Sequence, residues 1–301
     1  MTKRRQSGPQ SDEELEDSDS NLEPSLDQKE DDSDTEEPGP IEVSFECFRP
    51  RPVDASTIRM FLNGYLDKNS FSAGELAMAI ADQEFVGSTI RVSDEEDVLA
   101  FLTCLNVSVH RSTEFMSQLV TYLLKKCPQK YKDTLDELLN SRISEKTGLL
   151  IHERMINIPN ELAIPLWQSC EEELSWAVED GVAEFDFEYF IYLTYKYTPV
   201  LDIPKLGGKK KKKKRSVVPQ VDCTPFYTKF EDEVFDQHSS YSFTIPYHFA
   251  DDKPGQFDFD VKTERLVLVL KKENLKKALK KAAEIITVPD NFELYDRDLC
   301  V

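Results

Sequence analysis

The chain has 301 residues, 40% of them hydrophobic, and a formal net charge of −20, half of it in the first forty residues (14 acids against 4 bases). The apolar content suffices for a substantial core, and no apolar stretch approaches the ~20 residues that span a bilayer. The acidity argues against direct binding of naked nucleic acid, whose affinity comes chiefly from neutralised phosphates, and favours basic partners.

Residues 11–40 are rich in Asp, Glu and Ser and nearly devoid of aromatic or branched side chains. Such a segment buries too little surface to offset the entropy of ordering, so 1–40 is expected to be a disordered acidic tail. Within it Ser11 and Ser33 are candidate phosphorylation sites, where phosphate adds to charge already present. Met1-Thr2-Lys3-Arg4-Arg5 runs into acid rather than an apolar core, so a secretory signal is not expected.

From Ile41 to Phe48 apolar and polar residues alternate, the pattern of a half-buried strand, which Pro50 and Pro52 end. Ala55–Leu66 reads as a helix capped by Asp54 or Ser56. Ser72–Phe85 is a second, with Ser72 and Glu75 at capping-box spacing. Strands are expected at Gly87–Val92 and Val98–Val107, then helices at Ser112–Lys126 and Tyr131–Leu139. Leu149–Ile158 is the next strand, and a helix runs from Pro165 to Val178. Phe185–Tyr197 is expected as one long strand near the middle of a sheet. A short helical piece carries Phe230, Val234 and Phe235; strands follow at Tyr241–Phe249 and Arg265–Lys271, and a helix at Asn274–Ile286. The last fifteen residues are irregular. Strands and helices in this order predict an α/β (α+β) domain with a single mixed central sheet flanked by helices, spanning 41–301.

A lysine-rich insertion at about 204–220 interrupts that domain. Lys209, Lys210, Lys211, Lys212, Lys213, Lys214 and Arg215 cannot bury themselves without losing hydration. The run must stand in solvent, either as a charged loop or as a nuclear import signal read by the acidic groove of an import carrier; the second reading is preferred.

Signals for catalysis are absent from the sequence. None of the ten glycines forms a GxG, a phosphate loop or a GxSxG elbow. The six cysteines show no CxxC spacing and the four histidines no metal pair, so reduced, mostly buried thiols and no metal or cofactor are expected. Glu171-Glu172-Glu173 reads as a solvated helix face. His152 and Glu153 are strand neighbours whose side chains point to opposite faces, which disfavours a base and its orienter. The lysines and Leu/Ala positions of 271–286 make a basic amphipathic helix, either a calmodulin-target-like, membrane-surface or phosphate-binding element or a surface helix docking an apolar seam on the sheet; the last reading is preferred.

The stretch Gly148–Trp167 resembles the hallmark segment of the BCCIP family, through Gly148, Leu149, Leu150, Glu153, Arg154, Ile156, Asn157, Pro159, Ala163 and Pro165. The resemblance implies a domain similar to GCN5-related acetyltransferases without their cofactor loop. It implies a nuclear protein, shuttling to the cytoplasm, that acts as non-enzymatic chaperone for a basic ribosomal protein of the large subunit. It also brings alternatives: an adaptor in repair, cell-cycle control and spindle organisation, with a recombination mediator, a cyclin-dependent kinase inhibitor or a lipid kinase as partner, or an active acetyltransferase. For Glu153, Arg154, Asn157 and Pro159 two roles stay open, pinning the strand across the sheet or shaping a partner surface.

Overall fold

In the computed structural model the described residues are 44–67, 71–92, 97–200, 224–247 and 261–286. The tail with Ser11 and Ser33, and the run Lys209–Arg215, lie outside them. Seven strands form one sheet in the order β1-β2-β3-β4-β5-β7-β6: β1 Phe45–Phe48, β2 Ser88–Val92, β3 Ala100–Asn106, β4 Thr147–Arg154, β5 Tyr189–Pro199, β6 Tyr241–Pro246 and β7 Val261–Lys271. Every pairing is antiparallel except β4 with β5, which is parallel over Thr147–Leu150 and Tyr189–Tyr192. The expected single mixed sheet is therefore the architecture found.

Helices cover both faces. The helices α1 Ala55–Phe61, α2 Ala73–Ala81, α3 Glu114–Lys126 and α4 Gln129–Asn140 pack on one side. On the other lie α5 Ala163–Glu179, α6 Phe230–His238 and α7 Lys272–Ile285. Alternate residues of the inner strands feed the two cores: Phe101, Leu149, Ile191 and Val267 one, Leu102, Leu150, Tyr192 and Leu268 the other. Strands buried on both faces read as nearly continuous apolar runs. Helix α7 seats Leu275, Ala278, Leu279 and Ala282 in the core, and its Lys276 bridges to Glu171 on α5 at 3.0 Å.

Several local expectations are corrected. Phe185 ends a 3-10 turn, Ala183–Phe185, and the long strand starts only at Tyr189. Ser72 makes no side-chain cap; Glu75 instead accepts from the Phe115 N–H at 2.9 Å. That acid therefore satisfies an orphan donor at the start of α3, not of its own helix. Asp54 likewise leaves α1 uncapped and accepts from the Arg51 N–H (2.7 Å) and from buried Arg91 (2.5 Å). Glu173 is not on the solvated face: it is buried and accepts from the Gly87 N–H (2.8 Å) and the Ser88 hydroxyl (2.7 Å), tying α5 to β2. The four described cysteines, Cys47, Cys104, Cys127 and Cys170, are free and buried.

Candidate functional site

Gly148 opens the segment Gly148–Trp167, and packing explains the glycine. A Cβ there would lie 2.5 Å from Cys104 Sγ and 3.1 Å from the rings of Phe187 and Phe190. Only a glycine lets β4 approach β3 and β5 so closely.

Beyond Leu150 and Tyr192 the parallel strands lose their pairing. Strand β4 continues to Arg154 against β3, and β5 continues to Pro199 against β7, so a wedge opens between them. The main-chain groups facing the wedge have no ladder partner, which is costly unless something else supplies it. The segment leading into α6 does so. Phe226 bridges to Tyr197, and the buried Lys229 ammonium donates to the His152 carbonyl oxygen at 2.5 Å, with Glu153 Oε2 at 3.2 Å and the Tyr192 hydroxyl at 3.4 Å.

One turn further, Glu231 and Asp232 are wholly buried. Arg154 donates from Nη1 to Glu231 at 2.9 Å and from Nη2 to Asn160 Oδ1 at 2.8 Å. A single planar guanidinium thus holds α6 with one nitrogen and the loop after β4 with the other, a geometry lysine cannot reproduce. Asp232 accepts from the Thr194 hydroxyl on β5. His152 lies 3.4 Å from Glu231 and edge-on to Trp167 (5.4 Å), which also packs on Tyr192 and Phe235.

The electrostatics follow from burial. Burial pushes the His152 imidazole well below its usual 6.5, and Lys229 and Arg154 act in the same direction. Burial pushes the Asp232 carboxyl up to about 7 against the pull of Lys229, with Glu231 adding to the rise. Two cations, Lys229 and Arg154, therefore face Glu153, Glu231 and a carboxyl that titrates near neutrality.

These two groups bias stability in opposite directions. Because folded His152 takes up its proton below 6.5, stability should fall as pH drops below that value. Folded Asp232 keeps its proton to about 7, whereas an unfolded aspartate releases it near ~3.9, so stability should fall as pH rises between those values. His152→Phe should leave midpoints of urea denaturation declining from about pH 5 to 7; Asp232→Asn should leave them rising from about pH 5 to 6.5. Profiles that neither substitution alters would contradict this assignment.

The strand expected over Leu149–Ile158 runs instead from Thr147 to Arg154, so Met155 to Ile158 are not part of the sheet. The chain then turns, with the Ile158 N–H donating to the Met155 carbonyl oxygen at 3.2 Å. Glu153 and Arg154 are pinned to α6 and its approach segment rather than across the sheet. Asn157 and Pro159 are exposed, and Ile156 stands 80% exposed at the loop. Lys229, Glu231 and Asp232 escaped notice in the sequence; the only signal was charge beside Phe230, Val234 and Phe235. Among the described residues no group of three or more His, Cys, Asp or Glu could hold a metal ion.

Residues 40–235 match the sequence model of the BCCIP family. The protein BCCIP homolog of Arabidopsis thaliana is 32% identical over 213 residues, 68% of this chain and 63% of that protein. The protein bcp1 of Aspergillus fumigatus is 30% identical over 274 residues, 86% of this chain and 92% of that one. The crystal structure of BCP1 from Saccharomyces cerevisiae superposes with a TM-score of 0.56 at 18% identity, covering 85% of this chain and 93% of that one, a likeness of fold.

Proposed function

This chain belongs to the BCCIP family, and from that premise we propose that it is a non-enzymatic nuclear escort for a basic large-subunit ribosomal protein. The observation that carries the reading is where the acid excess sits. The buried acids and bases of the described residues are Asp54, Glu173, Glu231 and Asp232 against Arg91, Lys229 and Arg265. Four against three hides a single unit of charge, so burial takes up almost none of the acid excess of the described residues. The remainder is available to attract and solubilise a lysine- and arginine-rich partner that would otherwise associate with RNA.

Two further features support it. The wedge between β4 and β5 is occupied by the chain's own side chains, Lys229 on the His152 carbonyl oxygen and Arg154 on buried Glu231. The loop after β4, held by Arg154 through Asn160, presents the apolar side chain of Ile156 to solvent, where a partner could cover it. In this reading Lys209–Arg215 binds an import carrier, and replacing all seven by glutamine should abolish nuclear accumulation; unchanged accumulation would remove the import step.

The test of the escort is mass spectrometry of nuclease-treated affinity purifications from nuclear extract at moderate and high salt. One near-stoichiometric ribosomal protein of the large subunit, lost as salt rises, is the expected result, since exposed charges are screened within ~8 Å at physiological ionic strength. Repair or cell-cycle proteins in its place would overturn the escort reading in favour of an adaptor.

A further inference from the structure

A second feature lies away from the wedge, where the end of α2, the end of β3 and the 3-10 turn Ala183–Phe185 meet. They enclose a cleft of about 330 Å³, lined among others by Asp82, Glu84, Phe85, Val109, His110 and Glu184. That volume is at the lower end of the range for specific ligand sites, ~300–1,000 Å³.

The walls are held in place. Asn106 donates from Nδ2 to the Glu184 carbonyl oxygen (2.7 Å) and the Glu145 carbonyl oxygen (3.0 Å). Its Oδ1 accepts from the Ser108 N–H (2.8 Å) and the Val109 N–H (3.2 Å). One side chain therefore stitches the turn after β3 to the turn before β5, and the cleft exists before anything enters it.

Its chemistry is one-sided. Asp82, Glu84 and Glu184 are exposed carboxylates, and no lysine or arginine is among the lining residues. Arg49 donates to the main-chain oxygen of Glu84 at 2.7 Å. Burial lowers the pKa of His110, so it adds no cation at neutral pH. The C-terminal end of α2, the negative pole of the helix, closes the same side. Gln83, also in the lining, is held to β3 by its Nε2, which donates to the Thr103 hydroxyl at 3.0 Å and the Cys104 carbonyl oxygen at 3.3 Å. Apolar surface accompanies these acceptors: Phe85 is 41% and Val109 53% exposed. The ring of Phe85 lies 6.0 Å from that of Phe185, tilted by 51°.

Carboxylates around an aromatic rim fit a cation on an apolar stem. A guanidinium suits it better than an ammonium, being planar, more weakly hydrated and able to stack on a ring while donating in its plane. We propose that this cleft is a receptor for an arginine side chain of a protein partner. The proposal rests on the escort reading for its choice of a protein as the source of that arginine.

The test uses the full chain, isotope-labelled, titrated by NMR with an acetylated and amidated Gly-Gly-Arg-Gly-Gly peptide and its lysine and citrulline counterparts. Shift changes confined to residues 82–85, 104–110 and 184–185, strongest for arginine and absent for citrulline, are expected. Glu84→Lys and Glu184→Lys change exposed side chains only; each should weaken the arginine peptide at least tenfold with an unchanged melting temperature. Changes centred elsewhere, or affinity unaltered by both substitutions, would overturn the proposal. Free arginine binding more tightly than the peptide would overturn the protein source. The two readings fail separately. A ribosomal protein that still copurifies with the Glu84→Lys, Glu184→Lys double variant leaves the escort standing and removes the cleft from it. Peptide binding in the cleft without any copurifying ribosomal protein does the reverse.

Discussion

Arg154→Ala should destabilise the protein by about 3–5 kcal/mol, the usual loss when one partner of a buried ion pair is removed. Its side chain is 6% exposed and that of Glu231 is wholly buried, so water cannot take over the carboxylate the substitution leaves behind. The bond to Asn160 goes with it, releasing the loop that carries Ile156. Glu231 keeps His152 as a neighbour at 3.4 Å. In the variant the imidazole should therefore take up a proton at higher pH than in the parent, following the charge left unpaired beside it. Replacing both partners at once, Arg154→Met with Glu231→Leu, should recover most of the stability, because a well-packed apolar pair often matches or exceeds a buried ionic one. Urea denaturation at pH 7 measures both. A loss of less than about 1 kcal/mol for Arg154→Ala would mean that the pair is solvated, as exposed pairs of that strength are.

Trp167→Ala should cost about 3–5 kcal/mol as well, by a different route. Trp167 is 1% exposed and stands between His152, Tyr192 and Phe235, with ring centroids at 5.4, 5.6 and 4.7 Å. Deleting it opens a cavity where the β4–β5 wedge, α5 and α6 meet, and the buried ions lining the wedge cannot close over it. Trp167→Phe separates packing from hydrogen bonding. The indole Nε1 has no partner among the described residues, so the smaller ring forfeits contact area but no bond. It should cost clearly less than Trp167→Ala, because the cavity it leaves is smaller. Equal losses for Trp167→Ala and Trp167→Phe would show that the indole nitrogen is bonded in solution.

The wedge accounts for why Glu153 and Arg154 accompany Gly148 in one segment. Gly148 sets the close strand approach where pairing is intact, and the two charged residues serve where it has ended. Lys229 and Glu231 then complete a contact between parts of the chain 76 and 77 residues apart. In the same segment Ile156, Asn157 and Pro159 are exposed, while Ile158 turns into the core.

Apolar runs and helical patterns in the sequence place the seven strands and seven helices of the described residues near their positions in the structure, because both sheet faces are covered and every inner strand is apolar. Charge was equally legible: the acid excess and Lys209–Arg215 are properties of composition. Local spacing misled where a side chain had a better distant partner. Glu75 bonds to the start of α3, Asp54 to Arg91 and Glu173 to Gly87 and Ser88, none of which a short window contains. Only the tertiary structure decided that β4 and β5 run parallel and part after Leu150, and that α6 fills the gap. Sequence patterns report which faces are apolar, whereas the wedge depends on which strands become neighbours and where their pairing stops. Its buried ions are stable only against each other, so the chemistry of Arg154 stayed unreadable until Glu231 was placed beside it.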